Sequence, residues 1–220
     1  MEPTIYKPGI YKTPGVYKGA GGIYKGRGVY NDGAGGGDVI FSIGGRDYTA
    51  VKIGNIYYTT ENLDLKLRGI GIGGGTTTDP HAWYYNNDEA EFGYNGYRFG
   101  LLYNQSSISI INGYLYNGLR VMTKDDAQNI LDNITDVKTI KTNEYWQAQD
   151  GTNETGLSIV PSGYFGTSSF NNIWVSGIYR TSTETDSTHA NTLSISNNNT
   201  ITIAISTHNV GLAVRICKDA

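Results

Sequence analysis

The chain has 220 residues, enough for one ordinary domain plus an extension. Lys and Arg number 17 against 20 Asp and Glu, with no polybasic block, which argues against nucleic acid as a partner. A single cysteine, Cys217, rules out an intrachain disulfide and a cysteine-built metal site, and no apolar run is long enough to cross a bilayer as a helix.

The first elements are repeats. Ile5-Tyr6, Ile10-Tyr11, Val16-Tyr17, Ile23-Tyr24 and Val29-Tyr30 recur at intervals of five to seven residues, and Lys follows four of the five tyrosines. The spacing is too short and irregular for a solenoid, and such a segment cannot bury a core by itself. Residues 1–37 therefore read as an arm, ending in the hinge-like Gly33-Ala34-Gly35-Gly36-Gly37. Three roles stay open: a peptide that adds a strand to another protein's sheet edge, a stalk built from several chains, or a mobile linker. In the first two, the ten Ile, Val and Tyr residues just named are the anchors.

From Asp38 the pattern changes. Val39–Ile43, Tyr48–Ile53 and Ile56–Thr60 read as strands joined by Gly44-Gly45 and Gly54-Asn55, a hairpin-rich entry. Residues 69–98, rich in Gly, Thr, Asn and Tyr, have little periodicity and read as a long loop of the functional kind. A helix is predicted over about 124–134, with Thr123 as N-cap, Asp125 and Asp126 in the first turn, and Ala127, Ile130, Leu131 and Ile134 on one face. Ile201–Ser206 alternates as a half-buried strand, and Ala213–Cys217 reads as a last strand beside the early hairpin.

Several phrases fall in a distinctive order: Val51-Lys52-Ile53-Gly54-Asn55, Thr60-Glu61-Asn62-Leu63, Phe99-Gly100-Leu101-Leu102-Tyr103-Asn104, Gly118-Leu119-Arg120-Val121-Met122-Thr123, then 151–164, Ile173-Trp174-Val175-Ser176 and 211–219. Together they resemble the Fibrobacter succinogenes major paralogous domain over about residues 50–220. That family is similar to the C-type-lectin-like fold and to formylglycine-generating-enzyme domains. The resemblance implies an α+β, mostly β, C-type-lectin-like domain over 38–220, with one main helix and long loops. There are departures. Leu115 and Tyr116 stand where the family often has Cys-Pro, Leu119 replaces Trp, and Met122 replaces the helix-start Pro. Cys217 matches the family's last cysteine without its partner, which fits folding in a reducing compartment.

The chemistry of the enzyme relatives is missing, because formylglycine generation needs reactive cysteines and Cys217 reads as a buried, inert thiol. Asn86-Asn87-Asp88-Glu89 is the nearest approach to a lectin calcium phrase and reads better as a polar loop, while His81, His189 and His208 lack ligand spacing. No metal or cofactor is expected. Asp125 and Asp126 read as helix-start residues and not as a catalytic acid pair. Lectin-like domains bind through loops, and two tracts rich in aromatic and amide groups are candidates. They supply Trp83, Tyr84, Tyr85 and Asn86 from one, and Asn171, Asn172, Tyr179 and Arg180 from the other. Trp174 is expected in the core, and Tyr84 and Tyr85 on the surface.

Domains that look like this one occur in surface proteins of Bacteroidota and in phages that infect them. The layout of arm plus head, with no signal-peptide pattern at Met1-Glu2-Pro3-Thr4, leads to the expectation of a non-enzymatic virion protein made in the host cytoplasm. It would be a head or tail fibre or decoration, docked to other virion proteins through residues 1–37. It would be homo-oligomeric (a trimer first, a dimer second), with a head that binds host surface glycan or protein. A bacterial adhesion module without catalysis is the alternative.

Overall fold

The computed structural model describes residues 17–19, 22–24, 39–74, 78–94, 96 and 98–220. The expected anchors Ile5, Tyr6, Ile10, Tyr11, Val16, Val29 and Tyr30 lie outside these residues. Two repeat units meet within them: β1 (Tyr17–Gly19) and β2 (Gly22–Tyr24) pair antiparallel, with Tyr17 opposite Tyr24 and Lys18 opposite Ile23.

The rest of the fold is mostly β with short helices. The early strands form as predicted: β3 (Val39–Ile43), β4 (Arg46–Ile53) and β5 (Ile56–Thr59) make a meander. Gly44 and Gly45 turn the first hairpin at positive φ, where a side chain would be strained. Phe41, Ile43, Tyr48 and Ala50 alternate inward, while Ile53, off that alternation, is buried in a second core cluster.

The described residues of 69–98 form more regular structure than the composition suggests. They contribute β6 (Gly71–Ile72), β7 (His81–Trp83), a 3-10 turn at Tyr85–Asn87 and α1 (Glu89–Phe92). Buried polar side chains hold them. The Trp83 indole donates to the Gly74 carbonyl (2.9 Å), and the Asn104 amide donates to Asp79 O (2.6 Å) and accepts from the His81 N–H (3.0 Å).

Next come β8 (Leu102–Tyr103), an unpredicted helix α2 (Gln105–Tyr114), β9 (Arg120–Val121) and the predicted helix α3 (Lys124–Asn133). The α3 N-terminus closes as a reciprocal cap: the Thr123 hydroxyl accepts from the Asp126 N–H, and the Asp126 carboxylate accepts from the Thr123 N–H. A second sheet follows, built from β10 (Ser162–Phe165), β11 (Phe170–Ile173), β12 (Ser176–Glu184), β13 (His189–Ser196) and β14 (Ile201–Thr207), in the order β11-β10-β12-β13-β14. The last strand is β15 (Ile216–Asp219), which inserts between β5 and β9 to complete the first sheet, β3-β4-β5-β15-β9.

The expected last strand at 213–217 begins later than its apolar run. Residues 211–213 make single bridges to three elements instead: Gly211 to Phe165, Leu212 to Tyr103 and Ala213 to Tyr179. The Val214 carbonyl then accepts from the Leu63 N–H (2.8 Å). This buried connector ties the second sheet to the small β6-β7-β8 sheet and to the chain just after β5. Cys217 is fully enclosed, and burial pushes its thiol well above its ordinary pKa, as expected of an inert cysteine. Among the described residues, no helix is long and apolar enough to cross a membrane.

Candidate functional site: an aromatic and amide depression

Two connections that pack side by side form a depression of about 460 Å³, lined by Tyr145, Trp146, Gln147, Gln149, Ile173, Trp174 and Val175. One wall is the turn between β11 and β12. The other is the irregular chain that follows α3.

Both walls hold backbone that ordinary residues avoid. Trp174 has φ +66° and Tyr145 has φ +72°, while Gln149 (+49°) and the flanking Asn172 (+59°) are also left-handed. Asn tolerates this region, but for residues with larger side chains it costs about 1–2 kcal/mol each. Hydrogen bonds hold the strained peptides in place. The Trp174 N–H donates to Pro161 O (3.0 Å), and its carbonyl accepts from the Gln147 N–H (2.9 Å), which links the two walls. The Gln149 N–H donates to Trp146 O (2.9 Å), and the Val175 N–H donates to Asn172 O (3.2 Å). Left-handed conformations of large residues cluster where the surrounding structure over-determines them, often at binding sites.

Beneath the depression, Trp146 is buried and its indole donates to Ile159 O (3.1 Å). The fully enclosed Lys141 ammonium lies 4.5 Å from the Trp146 ring centre and donates to Asp150 Oδ1 (2.8 Å) and Asn199 Oδ1 (2.6 Å). Asn199 in turn donates to Asp150 Oδ2 (2.6 Å), and Asn197 accepts from the Ala148 N–H (2.7 Å). Residues 146–150 are therefore fixed to the β13–β14 turn. The Asn199 and Lys141 hydrogen bonds hold the Asp150 carboxyl well below the usual carboxylate range.

The half-buried Tyr145 and Trp174 rings stand 6.2 Å apart, and both meet Phe99 edge-on, at 5.5 and 5.2 Å. They are thus backed by the core on one side while lining the depression on the other. Gln147 and Gln149 are exposed and offer amide donors and acceptors. The lining contains no carboxylate, imidazole, amine or thiol. What the lining offers is ring surface for C–H-rich faces and amides for hydroxyls. Among the described residues, no group of three His, Cys, Asp or Glu side chains is placed to hold a metal ion.

The residues expected to contact a ligand are placed differently. Trp83, Tyr84, Tyr85, Tyr179 and Arg180 are all buried, so the expected exposure of Tyr84 and Tyr85 is wrong. The causes are local. Trp83 stacks on Phe165 at 4.4 Å, and the Tyr84 hydroxyl donates to Asp64 Oδ1 (2.7 Å). Tyr85 packs against Phe92 and Phe170 at 5.3 and 5.1 Å. The Tyr179 hydroxyl donates to Val160 O (3.1 Å), and Arg180 points into the interior. Asn86 is exposed on its 3-10 turn, Asn171 is half-buried and donates to Ser169 O (2.9 Å), and Asn172 lies beside the depression. The two tracts do meet, but through the buried Tyr85–Phe170 contact.

Trp174 was expected to be a core residue, and it is half-buried at the site. Tyr145, Gln147 and Gln149 were missed. Their tract, Tyr145-Trp146-Gln147-Ala148-Gln149, has the same mixture of aromatics and amides that marked the other two. No family model matches the chain, and neither a curated protein nor a solved structure matches it.

Proposed function

We propose that this chain is a non-enzymatic binding protein of a bacteriophage particle, anchored by its repeat arm, with a C-type-lectin-like head that holds a neutral glycan of the host surface in the Tyr145–Trp174 depression. The observation that carries the binding role is the depression itself. Two core-backed rings and two exposed amides surround it, without an ionisable group suited to acid–base work. A sugar ring has one face rich in C–H groups and a rim of hydroxyls, which matches rings flanked by amides.

The lectin-like assignment is supported by the mostly β architecture and by the insertion of β15 beside β5, which closes the end of the chain against its early hairpin. The anchoring role is supported by the repeat, whose Val16-Tyr17 and Ile23-Tyr24 units contribute residues to paired strands. An arm of this kind can add strands to a neighbour's sheet edge or to other copies of itself in a trimeric projection.

The test has two parts. Particles purified by density gradient should contain this chain, and removal of residues 1–37 should release the head from them. Neutral oligosaccharides of the host surface, screened on an array with the full chain, should give hits that disappear in Trp174→Ala. A monomeric full-length chain that never co-fractionates with particles sinks the virion reading. Glycan binding that survives Trp174→Ala sinks the site.

A further inference from the structure

Among the described residues, four charged side chains are buried: Asp126, Lys141, Arg180 and Arg215. Three of them are well partnered. Asp126 has Arg120 and Lys141 has Asp150. Arg215 donates from all three nitrogens, to Asn62 Oδ1 (2.8 Å), to the Thr59 and Leu157 carbonyls and to Ser158 O (2.8 Å), with its guanidinium over the Tyr179 ring.

Arg180 is different. It sits at 0% exposure on β12, and only its Nη2 is used, donating to two neutral acceptors, Thr207 O (3.1 Å) and Val210 O (2.5 Å). Among the described residues, its Nε and Nη1 have no hydrogen-bond partner and no carboxylate pairs with it. Burial pulls the guanidinium down to about 9, which leaves it cationic at neutral pH.

Two more buried polar atoms, on residues linked to Arg180 through the 207–210 segment, have no partner among the described residues. One is Gln105 Oε1, in the first turn of the ten-residue helix α2, and the other is His208 Nε2. Residues 207–210 link the three residues, Gln105 through its backbone. The Thr207 and Val210 carbonyls hold the Arg180 Nη2, the His208 carbonyl accepts from the Gln105 N–H (2.9 Å), and His208 carries the third idle atom. A buried cation thus lies one short chain segment from the positive end of a helix, with unused N–H groups and no negative charge to answer it. Natural interiors rarely leave such atoms without a partner, and a bound water or ion is one explanation when they do.

We propose that Arg180, Gln105 and His208 form an interior site for a small monovalent anion of the halide class. The anion accepts from the Arg180 Nε and Nη1 N–H groups. The Gln105 amide, turned to present its NH₂, and the His208 ring N–H complete the shell, since O/N placement and tautomer follow the partner. A water could accept from Arg180 and donate to Gln105 Oε1 and His208 Nε2, but it would leave the buried charge uncompensated, and this favours the anion.

The test is thermal unfolding of the full chain at constant ionic strength, with gluconate exchanged stepwise for chloride or bromide. A ligand that binds only the folded state raises Tm in a saturable way, here by about 2–4 °C over the titration. A crystal grown with bromide should show one anomalous peak beside the Arg180 Nε and Nη1. Gln105→Glu, which supplies an internal carboxylate, should fold, melt higher than the parent and lose the halide dependence. Arg180→Met should also lose it. If Arg180→Met fails to fold, the bromide peak and Gln105→Glu still decide. Identical melting in gluconate and chloride, or water in place of bromide at Arg180, overturns the proposal. So does a halide effect that persists in Gln105→Glu.

Discussion

Replacing Trp174 by glycine and, separately, by alanine isolates the backbone strain at the depression from the ring that lines it. Both changes remove the indole, whose half-buried face packs on Phe99, so both lose roughly 2 kcal/mol, below the range for a fully buried Trp. They differ in what remains. At an ordinary position, alanine is the more stable of the two by about 0.5–1 kcal/mol, because glycine has more freedom to lose on folding. At φ +66° the order reverses, since alanine keeps the left-handed penalty of about 1–2 kcal/mol that glycine avoids. The difference leaves Trp174→Gly more stable than Trp174→Ala by about 0.5–1 kcal/mol. Urea unfolding reads this as a midpoint about 0.3 M higher for the glycine variant, at unchanged slope. Glycan affinity should fall equally in both. A glycine variant equal to or weaker than the alanine variant would falsify the claim that this turn holds Trp174 in a strained, pre-set conformation.

Thr123→Ala removes the acceptor for the Asp126 N–H at the start of α3 and should destabilise the chain by about 1 kcal/mol in chemical denaturation, whereas Thr123→Ser should cost much less. Asp150→Asn leaves the enclosed Lys141 without its counter-ion; a loss of about 3 kcal/mol is expected, together with weaker glycan binding as residues 146–150 loosen. Acid should act on the same groups. Burial pushes the Asp126 carboxyl up, but the Arg120 fork and the Thr123 hydrogen bonds bring it below its ordinary value, and Asp150 is lowered by Asn199 and Lys141. A carboxylate lowered in the folded state contributes fully above its unfolded pKa of about 3.9 and loses that contribution as pH falls below it. The urea midpoint should therefore drop from about pH 4 downward, less steeply in Asp150→Asn; a pH-independent midpoint there would contradict the pairing. Cys217 should resist alkylation in the native chain and react once unfolded, as followed by mass spectrometry, and rapid native labelling would show that its enclosure is wrong.

Local pattern was enough for several elements. The alternation of Phe41, Ile43, Tyr48 and Ala50, the Gly44-Gly45 turn and the Thr123–Asp126 cap each depend on neighbours within a few residues, so strands β3 to β5 and helix α3 were legible from sequence. Helix α2 was not. Its Ser and Ile residues and Gly113 are indifferent or poor helix formers. It forms because Ile108 and Ile111 are buried, and because the Asn104 cap is shared with the His81 N–H from another strand.

The same distinction applies to function. Composition by itself leads to the expectation of contact through Tyr, Trp and amide groups, because those residue types offer area and adaptable hydrogen bonds wherever they stand. Which of them face outward was decided by tertiary packing. Tyr84, Tyr85 and Arg180 turned inward because distant partners (Asp64, Phe170 and the 207–210 carbonyls) were there to receive them, while Trp174 and Tyr145 were held at the surface by left-handed turns. Burial depends on contacts between residues far apart in the chain, and no local window contains that information.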